Sequence, residues 1–213
     1  HIELVTMNVV FIIISFVISV YIAKLIIPRI LLISFRKKLF DIPDERKLHK
    51  RAIPRLGGVS FFPTILFSCS AVLVIRSLTG YGISVLSATY ILPEFLVLIC
   101  GMVLLYLTGI ADDLVGVRYR QKFVVQIIRA VLFPMVGLWI NDFYGLFGID
   151  CVPAWLGISF TILTVVFITN AINLIDGIDG LASGLSSVSL LVFGFLFIEK
   201  GLWIYGMLAF STF

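Results

Sequence analysis

The sequence predicts an all-α protein, a polytopic transmembrane helix bundle, and three observations carry that expectation. First, 61% of the 213 residues are hydrophobic, only 13% are charged, and the mean hydropathy is +1.16. Soluble domains carry about a quarter charged residues, so this chain has too few to cover a globule of its size. Second, the apolar residues come in runs of the roughly 20 residues that a helix needs to cross a bilayer. Third, these runs are continuous and not alternating. Lipid offers no hydrogen bonds, so each run must satisfy its backbone internally, as a helix does.

The first apolar run, about Val5 to Phe35, is longer than one crossing requires, and Pro28 is where a kink or an end is expected. It is too long for a signal-peptide core and lacks a basic leader. A polar loop covers about 36–56, and the second span runs from about Gly57 to Leu78. The third span covers Phe95 to Ala111, and the charged stretch 112–122 leads to the fourth, Phe123 to Ile140. The fifth span runs from about Ala154 to Ile172, a Gly-rich loop follows over about 173–182, and the sixth span is Leu181 to Ile198. A seventh begins near Gly201 and is too short at Phe213 to cross. The expectation is about six complete spans plus a truncated seventh. With no internal repeat or linker, 1–213 reads as one transmembrane domain and as the N-terminal part of a larger one.

Eight of the 16 Lys and Arg residues lie between Arg36 and Arg55, and Arg118, Arg120 and Lys122 form a second group. The loops after the first and third spans hold these cations, whereas the opposite side has only Arg76 and Lys200, near span ends. The positive-inside rule places the basic loops in the cytoplasm and the N-terminus outside, in the inner (plasma) membrane. Beside membrane spans such clusters mark topology, which argues against nucleic acid as a partner. Cys69, Cys100 and Cys151 have neither metal-ligand nor disulfide-framework spacing.

Three constellations stand at the cytoplasmic ends of the spans. Asp112 and Asp113 close the third span, where they repel each other and face the negative end of the helix macrodipole. A divalent cation or a cationic neighbour would relieve that cost, and an ordinary charged helix end weighs equally against this reading. In the run NAINLIDGIDGLA, Asn170, Asn173, Asp176 and Asp179 recur every three residues, roughly on one helix face. A capped helix junction explains one acid, but not two amides and two acids in register. The loop DIPDERKLHKRAIPRLGG contains Arg46, Lys47, Lys50, Arg51 and Arg55. Such cations suit a pyrophosphate or a lipid headgroup, or simply hold the loop inside. His49 alone fits a hydrogen-bonding loop residue. Arg129, inside the fourth span, is expected to snorkel or to meet an acidic partner.

In chain order, the run DIPDERKLHKRAIPRLGG, the Asp112-Asp113 pair and NAINLIDGIDGLA together resemble the polyprenyl-phosphate N-acetylhexosamine-1-phosphate transferase family over nearly the whole chain. The form Pro54-Arg55-Leu56-Gly57-Gly58 is similar to the branch acting on UDP-N-acetylglucosamine. The resemblance implies transfer of a HexNAc-1-phosphate from a UDP-sugar to a polyprenyl phosphate with release of UMP, in cell-envelope polysaccharide synthesis. It implies a magnesium requirement, with manganese as a substitute. It assigns catalytic roles to Asp112, Asp113, Lys50 and Lys122. Arg55, Asn173, Asp176, Asp179 and His49 become substrate-binding residues, and Asp112, Asp113 and Asn173 metal ligands. UDP-sugar, polyprenyl phosphate and the bilayer are the implied partners, with a homodimer left open. The family's further acidic motif and its His-rich loop lie after the seventh span, so this piece alone is expected to be inactive.

Three alternatives stay open. The same chemistry could act on another UDP-HexNAc or on UDP-MurNAc-pentapeptide. A transporter would place paired acids mid-membrane near broken helices, not at the boundary. A non-catalytic scaffold gives no reason for acids and amides to recur at one membrane level.

Overall fold

A computed structural model of the protein describes residues 2–37, 40–41, 53–54, 56–81, 85–148, 150–176, 178 and 180–213. Among these it has seven α-helices: α1 (Ile2–Arg36), α2 (Phe61–Leu78), α3 (Val85–Val115), α4 (Tyr119–Met135), α5 (Ala154–Ile175), α6 (Leu181–Glu199) and α7 (Trp203–Thr212). The strands β1 (Phe40–Asp41) and β2 (Ile53–Pro54) form one short antiparallel pair. The architecture is therefore all-α, as the composition requires. Five helices are long and apolar enough to cross a membrane: α1, α2, α3, α5 and α6. The 17-residue α4 carries Arg120, Lys122 and Arg129 and stands outside that group, as does the 10-residue α7.

Several boundaries differ from those expected. Helix α1 continues through Pro28, which therefore does not end it. Neighbouring groups can satisfy a backbone carbonyl freed by proline in a membrane helix. Helix α3 starts at Val85, ten residues before Phe95, and extends to Val115. Helix α4 begins at Tyr119 and stops at Met135, short of Ile140. Gly137, with φ +85°, takes the left-handed conformation there and donates its N–H to the Pro134 carbonyl at 3.1 Å. That is how a glycine commonly closes a helix.

The helices gather into two compact units, His1–Ile83 with Ile175–Phe213, and Ser84–Leu174. In the first unit, a seam of small hydroxyl side chains joins α1, α2 and α7. Ser19 donates to Ser68 at 2.8 Å, Ser15 and Ser211 share a hydrogen bond, and Cys69 donates to Ser211 at 3.7 Å. All five of these residues are buried. Membrane helices associate through small residues and interhelical hydrogen bonds, because burying apolar surface gains nothing in lipid. Helices α6 and α7 approach closely at Gly194, where an added Cβ would lie 2.7 Å from the Phe210 ring. At the other end of the seam, Arg76 is buried. It donates to the Asn8 side chain at 2.5 Å and lies 3.7 Å from the Trp203 ring centroid, so one guanidinium ties α1, α2 and α7 together.

In the second unit, α3 and α4 form a hairpin. Arg129 on α4 lies against Gly101 on α3, where a Cβ would sit 3.0 Å from the Arg129 Cγ. Its guanidinium donates to the Thr169 hydroxyl on α5. The described partner of this charge is thus a hydroxyl, whereas the sequence suggested an acid or the interface. The start of α5 is seated by Gly157, whose Cβ position lies 2.2 Å from the Ile140 carbonyl oxygen. Thr161, one turn on, accepts the Ile140 N–H at 2.9 Å. These contacts join the start of α5 to the segment after α4, and Thr169 further along it to α4.

Candidate active site

The site is built around the turn that joins α3 to α4. Gly116, with φ +71°, donates its N–H to the Asp112 carbonyl at 3.0 Å, which terminates α3. This places Asp112 and Asp113 in the last turn of the helix. Arg118, in extended conformation, starts α4, and its carbonyl accepts from the Lys122 N–H at 3.3 Å. Lys122 is thereby held in the first turns of α4.

The two charges meet across the turn. Lys122 Nζ lies 2.6 Å from Asp112 Oδ2, and Asp112 Oδ1 accepts the Val117 N–H at 3.0 Å. Taken alone, each charge is at the wrong end of its helix. A carboxylate near a C-terminus and an ammonium near an N-terminus both oppose the macrodipole. Paired, each offsets the other. Their side chains are 35% and 32% exposed, so the pair remains open to a substrate. A cleft of about 300 Å³ lies alongside, lined by Leu107, Thr108 and Ala111 of α3, Val117 of the turn, and Gln121 and Val125 of α4.

The remaining candidates stand as follows. Asp113 is half-buried in the last turn of α3. Asn173 is exposed in the last turn of α5, within the same unit as the pair. Asp176 is exposed in the turn that follows α5 and belongs to the other unit. Lys50, His49, Arg55 and Asp179 lie outside the described residues. The geometry therefore unites Asp112 with Lys122. Sequence reasoning missed Gly116 and Val117, the two residues that shape this turn, although a glycine just past an apolar run is a recognisable stop signal. It also missed Thr169 as the partner of Arg129, for which no local signal exists.

Carboxylates supply hard oxygen donors, the kind that suit magnesium, which commonly binds one or two of them together with substrate phosphates. Among the described residues no group of three or more His, Cys, Asp or Glu side chains could hold a metal by itself. A magnesium site completed by phosphates needs no such group, so the donor set fits.

The model of glycosyl transferase family 4 matches residues 95–213, which include α4 to α7 and most of α3. The chain belongs to this family and is a multi-pass membrane protein. It is 30% identical, over 84% of its length, to a probable undecaprenyl-phosphate N-acetylglucosaminyl 1-phosphate transferase of Bacillus subtilis, of which 46% is covered. An undecaprenyl-phosphate alpha-N-acetylglucosaminyl 1-phosphate transferase of Thermotoga maritima is 35% identical over 75% of this chain and 45% of its own. A phospho-N-acetylmuramoyl-pentapeptide-transferase of Listeria monocytogenes is 30% identical over 85% of this chain and 56% of its own. The chain thus spans about half the length of the curated relatives it matches.

Proposed function

We propose that the full-length protein transfers a HexNAc-1-phosphate, GlcNAc-1-phosphate in the first instance, from a UDP-sugar to a polyprenyl phosphate. An oxygen of the lipid phosphate attacks the sugar-bearing phosphorus. The bond from that phosphorus to the bridging oxygen breaks, and UMP departs with the bridging oxygen and its electron pair. The observation that carries this reading is the open Asp112–Lys122 pair beside Asp113, at a membrane-helix end in a member of this family.

Phosphoryl transfer demands positioning and charge neutralisation more than covalent help. Lys122 can donate to a phosphate oxygen, and Lys50 with Arg55 would add positive charge around the pyrophosphate. Asn173, Asp176, Asp179 and His49 would orient the nucleotide sugar through hydrogen bonds. Magnesium, or manganese in its place, would be held by the Asp113 carboxylate and by Asn173, and would neutralise phosphate charge. The apolar helices keep the prenyl tail in the bilayer while the nucleotide sugar arrives from water.

The distribution of Lys and Arg supports a site facing the cytoplasm in the plasma membrane, with the N-terminus outside. The form Pro54-Arg55-Leu56-Gly57-Gly58 favours UDP-GlcNAc, and the similarity to a muramoyl-pentapeptide transferase keeps UDP-MurNAc-pentapeptide as the second substrate to test. The test uses membranes that contain the full-length protein, given undecaprenyl phosphate, magnesium and radiolabelled UDP-GlcNAc. Label should pass into the organic phase, and Asp113→Asn should reduce that passage at least a hundredfold. Unchanged transfer in Asp113→Asn would remove the acid from the site.

A further inference from the structure

We infer that the two adjacent aspartates do different work, and that Asp112 is a positioning residue for the Lys122 ammonium, not a ligand of the metal. This rests on the phosphoryl-transfer reading above and divides the labour within its site.

Among the described residues, three donors converge on Asp112. Its carbonyl oxygen takes the Gly116 N–H at 3.0 Å, its Oδ1 takes the Val117 N–H at 3.0 Å, and its Oδ2 takes Lys122 Nζ at 2.6 Å. Both carboxylate oxygens are therefore directed into the α3–α4 turn. A metal bound there would have to displace the ammonium or sit beside it, and like charges so close repel strongly. An ammonium has three N–H donors, and the bond to Asp112 uses one. The other two can meet a phosphate oxygen, which a point-charge donor binds well.

The local sequence also argues for coupling. An acid in the last turn of α3 and a base in the first turns of α4 are each unfavourable for their own helix. The pair lets each offset the other. Residues that break a local rule together, while remaining partly exposed, mark a place selected for function more than for helix stability. The carboxylate thus holds in one place a long, flexible side chain that would otherwise sample many rotamers.

A double-mutant cycle on the full-length protein tests this, read by Michaelis constants and by manganese binding. Lys122→Met should raise KM for UDP-GlcNAc or for undecaprenyl phosphate about ten- to a hundredfold, the size of one lost charge-assisted bond. Asp112→Asn keeps an oxygen for the Val117 N–H but releases the ammonium, so it should raise the same constant. The double variant should be within about threefold of the worse single one. Half-saturation by manganese alone, followed by electron paramagnetic resonance, should change less than about twofold in Asp112→Asn. Lys122→Arg should recover part of the loss, and exposed Arg120→Gln should behave as the parent.

Two results would overturn the inference: multiplicative losses in the double variant, or manganese binding weakened tenfold by Asp112→Asn but not by Lys122→Met. If Asp112→Asn fails to fold, an unchanged KM in Lys122→Met overturns it just as well. A parent protein that releases no UMP would instead defeat the phosphoryl-transfer reading, and this inference would fall with it.

Discussion

At the scale of single residues, backbone geometry decides more than side-chain chemistry. Gly116 holds φ +71° at the end of α3, where a side chain is disfavoured by about 1 kcal/mol or more. Gly116→Ala should lower the unfolding free energy in detergent by that amount, and should also raise KM, because the Val117 N–H and Lys122 would shift together. Gly157 is constrained by space instead. A Cβ there would meet the Ile140 carbonyl oxygen at 2.2 Å and the Trp139 ring at 2.7 Å. Backbone cannot rotate aside as a side chain can, so Gly157→Ala should destabilise by about 2–3 kcal/mol. A thermal melt in detergent that matches the parent would show that α5 is free to move at this point. The position of the paired acids was legible in the sequence, because Asp112 and Asp113 close an apolar run. Their individual roles were not legible, because hydrogen-bond direction depends on the turn between the helices.

At the scale of elements, the apolar runs found every helix, and the errors fell at the ends. Proline within an apolar run ended no helix, and α1 reaches Arg36, one residue past the expected Phe35. Pro28 sits inside α1 without ending it, and Pro93 lies within α3, whose start was expected two residues later. In lipid the penalty for leaving a helix exceeds the loss of one hydrogen bond, so proline is a weaker stop signal there than in water. The helix contacts were not legible at all. Ser15, Ser19, Ser68 and Ser211 look like scattered small residues in sequence, yet they form one hydroxyl seam. Each interhelical hydrogen bond of this sort contributes on the order of 0.6 kcal/mol. Ser68→Ala should therefore lower stability by about that much. Ser68→Leu should cost several times more, since α1 and α2 would have to separate. Equal effects of the two variants, measured by unfolding in denaturing detergent, would show that the seam is not closely packed.

At the scale of the whole molecule, the composition alone set the class: too few charges for a soluble globule and enough apolar length for several crossings. The Asp112-Asp113 pair and the NAINLIDGIDGLA run both fall within 95–213, the stretch that matches the family. What was not legible is which residues of distant loops meet, because sequence spacing says nothing about such contacts. The central claim is that the full-length protein moves the sugar together with its phosphate. One measurement tests it most directly: identifying the nucleotide released when the full-length protein in membranes receives undecaprenyl phosphate, UDP-GlcNAc and magnesium. Attack at the sugar-bearing phosphorus releases UMP and leaves a pyrophosphate-linked lipid, and that is the predicted result. Release of UDP, with a lipid joined to the sugar through a single phosphate, would mean attack at the sugar carbon and would contradict the account.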